Sequence, residues 1–172
     1  MRTATVALLG VALALGAPRA ASAFGNANAK VLLHVTSTAT KCAMPACSEV
    51  VTSGGLYPPT LYYVHVLIAD GSAAEGVAGA LFGIDYDSPA QDETGVDIFG
   101  WSLCATVELQ TPTPSWPGPG GSNLVAWANC QTFEPGGPGT GVVANIGYFY
   151  VGAYGPATLR IARGTRPSNP SI

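Results

Sequence analysis

The chain has 172 residues, only 7 basic and 10 acidic, with 22 Gly and 14 Pro. No basic stripe is present to neutralise phosphates, which excludes ordinary nucleic-acid binding. After the first residues no segment is long and apolar enough to span a membrane as a helix, and distinct apolar runs between the Gly-Pro clusters argue against disorder.

Residues 1–23 read as a secretory signal peptide. Arg2 gives a positive start, Ala4 to Ala17 is almost wholly apolar, and Ala21-Ser22-Ala23 forms a small-residue cleavage pattern. Removing 23 residues from 172 leaves 149, a length that suits one domain, 24–162, followed by a polar tail, 163–172. Without Arg2 and Arg19, 5 basic residues face 10 acidic ones, a net charge of −5.

Strand signals then recur in chain order. Lys30–Thr36 (KVLLHVT) is the first and Leu61–Ala69 (LYYVHVLIA) the second, both rich in β-branched or aromatic residues. Val77–Tyr86 (VAGALFGIDY) alternates, with Ala80, Phe82 and Ile84 on one face and Gly79, Leu81 and Gly83 on the other. Val96–Leu103, Asn123–Cys130, Val142–Gly152 and Ala157–Ala162 follow. Helix signals are nearly absent. Thr111–Ser122 and Glu134–Gly141 hold several prolines each and lie outside any sheet interior. Seven or more short strands separated by turns predict an all-β antiparallel sandwich, immunoglobulin-like or jelly-roll-type, with a closed barrel as the alternative.

Four cysteines in an exported chain predict disulfides, two among three connectivities. Cys42 and Cys47 flank AMPA, whose spacing fits neither a zinc site nor a thioredoxin-type motif. Met44 between them suggests soft ligands for Cu(I), a weaker alternative. A hairpin centred on Pro117 would place Cys104 opposite Cys130, within bridging distance. The expectation is therefore a Cys104–Cys130 bridge worth about 3.5 kcal/mol and a Cys42–Cys47 staple worth about 2 kcal/mol. The same parity sends Phe99, Trp101, Leu103, Val125 and Trp127 inward.

His34 and His65 sit mid-strand and read as strand histidines; no G-x-S-x-G elbow accompanies them. Asp85, Asp87, Asp92, Glu93 and Asp97 crowd one connection. Asp85, Asp87 and Asp92 are calcium candidates, weighed against a solvated loop, and two of these acids would be needed for a glycosidase. Trp116 in its proline-rich loop, and Tyr57 before Pro58-Pro59, are candidate ligand-binding aromatics; the competing expectation for Trp116 is a ring folded back over the sandwich.

The stretch GVAGALFGIDYD, Gly76 to Asp87, resembles the strand of cohesin modules that ends in Tyr-Asp, and GVVANIGYFYV, Gly141 to Val151, resembles their penultimate strand. That resemblance implies a β-sandwich that binds a partner protein at the bacterial cell surface. The expected function is a secreted, non-catalytic module for protein binding, adhesion or structure, without a cofactor. Its partner is another extracellular protein or a glycan. A carbohydrate-binding module is the alternative, requiring an exposed Trp116 or a flat aromatic row; a hydrolase would require converging carboxylates.

Overall fold

A computed structural model describes residues 25–55, 60–72, 74–132 and 141–165. The expected signal peptide, residues 1–23, Tyr57, most of the Glu134–Gly141 loop and residues 166–172 lie outside the described residues.

Among the described residues, eight strands form two antiparallel four-stranded sheets. They are β1 (Lys30–Thr36), β2 (Thr60–Ala69), β3 (Val77–Asp85), β4 (Val96–Leu103), β5 (Val107–Gln110), β6 (Ser122–Gln131), β7 (Val142–Ala153) and β8 (Arg160–Arg163). One sheet has the order β1-β2-β7-β4, the other β5-β6-β3-β8. The sheets are not closed into a barrel. The only helical element among the described residues is a 3-10 turn, Cys47–Glu49.

Alternation decides which side chains meet between the sheets. Val64, Val66 and Ile68 of β2, with Ile146, Phe149 and Val151 of the adjacent β7, face Phe82 and Ile84 of β3 and Val125 of β6. The face assigned to Ala80, Phe82 and Ile84 is indeed the inner one. Trp101, Leu103 and Trp127 pack against this core as expected. Phe99 does not. A register shift between Ile98 and Gly100 inserts an extra residue opposite β7, so Ile98 and Trp101 both point inward while Phe99 turns out, 38% exposed.

Trp116 folds back into the core. It is 7% exposed and packs edge-on against Phe82 and Trp101, with ring centroids 5.3 and 5.2 Å away. It therefore offers no exposed ring for stacking on a ligand, a correction to its candidate binding role. Gly118 and Gly121 let the loop close tightly, since a Cβ on either would lie 2.8 Å from a backbone oxygen.

The disulfide expectation is corrected as well. Cys42 is bonded to Cys104, so neither the Cys42–Cys47 nor the Cys104–Cys130 bridge forms. The hairpin itself is real: Val107 pairs Ala126 and Gln110 pairs Asn123, a turn centred within half a residue of Pro117. Its first strand, however, is the four-residue β5, which carries too weak a pattern to be read in advance. β4 ends at Leu103, and Cys104 and Ala105 still donate to Ile146 O of the same sheet before Thr106 N reaches Ala126 O of the other sheet. The chain changes sheets between Cys104 and Cys130, which puts them out of bridging reach. The C-terminal boundary also moves: Arg163 belongs to β8, and Thr165 N donates to Ser122 Oγ, so the tail does not start at residue 163.

Non-reducing peptide mapping should return a Cys42–Cys104 peptide, and Cys42→Ser should cost about 4 kcal/mol in denaturant unfolding, since the bond closes a loop of 62 residues. Trp116→Ala should cost about 3–5 kcal/mol by the same measurement, the usual loss for a buried Trp.

Candidate functional site

Two sheet faces look outward, and they differ in chemistry. On the β5-β6-β3-β8 sheet, Val107 and Leu109 are directed outward opposite Ala126 and Leu124, and Leu124 lies beside Leu81. Val107 is 56% exposed, Leu109 62% and Leu124 37%. Gly79 and Gly83 keep the β3 part of this face low. The register places Asp85 and Arg160 on it, paired with each other at 3.0 Å at one corner. The result is a flat apolar strip. Clustered exposed hydrophobics of this kind mark contact surfaces, whereas scattered ones do not.

The inward side of β5 explains why this strip is displayed. Its inward residue is not apolar but Glu108, whose carboxylate accepts from Trp101 Nε1 at 2.9 Å and from Asn123 Nδ2 at 2.7 Å. It thereby links a strand of each sheet at the open edge.

The outer face of β1-β2-β7-β4 is divided in two. One half carries a row of rings. Phe99 meets Tyr150 at 5.7 Å, Tyr150 meets Tyr63 at 5.4 Å, and Tyr63 meets Tyr148 at 5.9 Å, with interplanar angles of 51°, 39° and 60°. Gly152 makes room for it: a Cβ there would lie 2.9 Å from Phe99 and 2.7 Å from Tyr154. The other half is buried beneath the connection from β1 to β2. This connection crosses the sheet to Cys104 and passes Asn145, whose Nδ2 donates to Ala43 O at 2.6 Å. It runs over Gly141, where a Cβ would be 2.7 Å from Cys47 Sγ, and returns along β1, with Val35 N donating to Val51 O.

Under that cover the two histidines face each other across the strands, with ring centroids 6.1 Å apart. His65 is fully buried and Asn145 nearly so. Val51 N donates to His34 Nδ1 at 3.0 Å. Asn145 Nδ2 lies 3.0 Å from His65 Nδ1. Because the same Nδ2 already donates to a backbone carbonyl, it is the amide nitrogen, and His65 Nδ1 must be the acceptor. Both rings are thus neutral with the proton on Nε2. Metal binding at Nε2 would require that proton on Nδ1, against an N–H donor, so the pair is not set up as a metal site. Burial pushes His65 down to about 4, aided by the neighbouring His34, and burial also lowers His34, opposed by Glu49.

The remaining sequence candidates are dispersed. Asp85 holds Arg160, Asp87 Oδ2 accepts from Val96 N, Asp92 Oδ1 accepts from Thr94 N and Oγ1, and Asp97, buried, accepts from Glu93 N. Each is turned to its own backbone or partner. Among the described residues no three His, Cys, Asp or Glu side chains gather as a metal site, so the calcium candidates Asp85, Asp87 and Asp92 are not brought together. A cavity of about 690 Å³ opens between the sheets on the β1 and β8 side, lined by Leu33, Val35, Val64, Val151, Leu159 and Ile161 among others. No acid, histidine or cysteine is among its described lining residues. Sequence parity could have identified the outward leucines; the aromatic row needed the β7 register, which no local pattern supplies.

Comparison with protein-family models, with curated proteins and with solved structures finds no match.

The depressed His65 value fixes a pH dependence. Above about 6.5 the ring is neutral folded and unfolded. Below that, the unfolded chain takes up a proton that the folded one refuses, so stability present above 6.5 is lost as pH falls toward about 4. Urea unfolding should show a decline approaching about 1.4 kcal/mol per pH unit in that window, and His65→Gln should remove this part of the slope.

Proposed function

We propose that the chain is a secreted, non-catalytic binding module that takes a protein partner on the outer face of the β5-β6-β3-β8 sheet. The observation that carries this is the uncharged strip of Val107, Leu109 and Leu124, three of the six exposed large hydrophobics among the described residues, gathered on one face. A partner that fits presents an apolar surface of its own, because the strip offers no charge to pair and few polar groups to satisfy. Export is supported by the N-terminal sequence and is compatible with the Cys42–Cys104 bond, which persists in an oxidising compartment. The cohesin resemblance points the same way, toward a sandwich that docks a protein at the cell surface.

A second reading is favoured by one specific feature, the ring row Phe99–Tyr150–Tyr63–Tyr148, which suits stacking on sugar rings. The ligand would then be a glycan, held on the opposite sheet.

One experiment separates the two. A photo-crosslinking residue at position 109 of the exported protein should yield a single discrete protein adduct, and the same residue at position 99 should not. Leu124→Asp should weaken that adduct at least about tenfold while shifting stability by no more than about 0.5 kcal/mol, as for other surface changes. Absence of any adduct at 109, with soluble-glycan binding abolished by Tyr150→Ala, assigns the function to the aromatic face.

A further inference from the structure

Residues 43–51 form a strap over the covered half of the β1-β2-β7-β4 sheet, and the sheet holds it partly through histidine. Val51 N–H donates directly to His34 Nδ1. Ala43 O is held by Asn145 Nδ2, and that same nitrogen leans on His65 Nδ1. Both acceptors are lone pairs that a proton would occupy. We propose that the strap is a proton-operated latch, closed while the Nδ1 atoms of His34 and His65 accept hydrogen bonds and released when they are protonated.

The consequences differ at the two rings. A proton on His34 Nδ1 sets N–H against the Val51 N–H and removes its acceptor. A proton on His65 Nδ1 faces the Asn145 amide. The amide can rotate to present Oδ1 to the new N–H, but it then turns oxygen toward Ala43 O and loses the strap. Asn145 is therefore a relay that translates the charge of a buried ring into the position of a backbone segment. Burial opposes both protonations and His34 opposes the second, so His34 leads and His65 follows.

Other ionisable side chains lie around the pair. Glu49, on the strap itself, favours charge on His34 and accepts from Ala46 N. Tyr148 of β7 touches the His65 ring at 5.4 Å, and Tyr63 precedes it on β2. Lys30 and Asp70, at the far strand ends, pair with each other. The Cys42–Cys104 bond anchors one end, so release is a local opening and not a loss of the loop. Opening would bare the His65 and His34 rings, which continue the line of rings beyond Tyr148. The latch holds whether or not that face binds sugar.

The test is amide hydrogen exchange on the disulfide-intact protein, corrected for intrinsic rates, at about pH 7.5 and about pH 5. Protection of Val51 N–H should fall at least about tenfold at the lower pH, the change that one unit of pKa produces. Phe149 N–H in the sheet should keep its protection. His34→Gln, whose side-chain oxygen accepts the same N–H without titrating, should hold Val51 protected at both. Equal protection of Val51 at both pH values in the native chain overturns the latch, and so does an equal loss in His34→Gln. Imidazole nitrogen NMR of the native chain is independent of any variant: Nε2–H tautomers for both rings at pH 7.5 are required, and an Nδ1–H tautomer at either sinks the idea.

Discussion

The Cys42–Cys104 bond decides how the rest of the molecule is used. A loop between adjacent antiparallel strands normally stays at the end of its sheet. Here it is drawn across the sheet to the end of β4, three strands away in the order β1-β2-β7-β4. The loop then has to return to β2, and its return path covers His65, Leu67 and Asn145 on what would otherwise be an outer face. One covalent link thus creates a second, smaller interior on the far side of the sheet from the main core. That interior holds His65 and Asn145, where the main core is apolar. It is also why a histidine in the middle of an ordinary strand ends up fully desolvated.

The two outer faces divide the labour that one apolar surface would otherwise carry. On the first sheet the strap and the ring row share the area between them. On the second, nothing among the described residues covers Leu109 and Leu124. The two sheets are packed through the same apolar core, yet their outsides differ because their outward positions were filled differently: tyrosine and histidine on β2 and β7, leucine, valine and glycine on β3, β5 and β6.

Much of this was readable from the residues, and the misses have physical causes. Strands β1 and β4 matched their expected bounds because β-branched, aromatic and other apolar residues recur through both. β5 was missed because VELQ alternates over four residues only and places a carboxylate on the inner side. The hairpin centre was found, but the disulfide built on it failed, since pairing arithmetic assumes that a strand stays in one sheet. Phe99 was assigned inward because parity counting cannot anticipate a bulge at Gly100. Trp116 showed both of its alternatives in the sequence, and packing against Phe82, Trp101 and Phe149 chose between them. The histidine pair was visible as two residues and not as a pair, because cross-strand register is a property of the folded chain.

Glu108 also bears on how the sheet edge meets other chains. β5 is an edge strand, four residues long, lying beside an exposed apolar strip. An unprotected edge in that position invites a neighbour's strand and grows into a ladder. A carboxylate held inward at the middle of β5, fastened to Trp101 and Asn123, fixes the strand's twist and makes any slipped or extended pairing bury an unmatched charge. The edge is thereby blunted against pairing with a second copy, while the face beside it stays apolar.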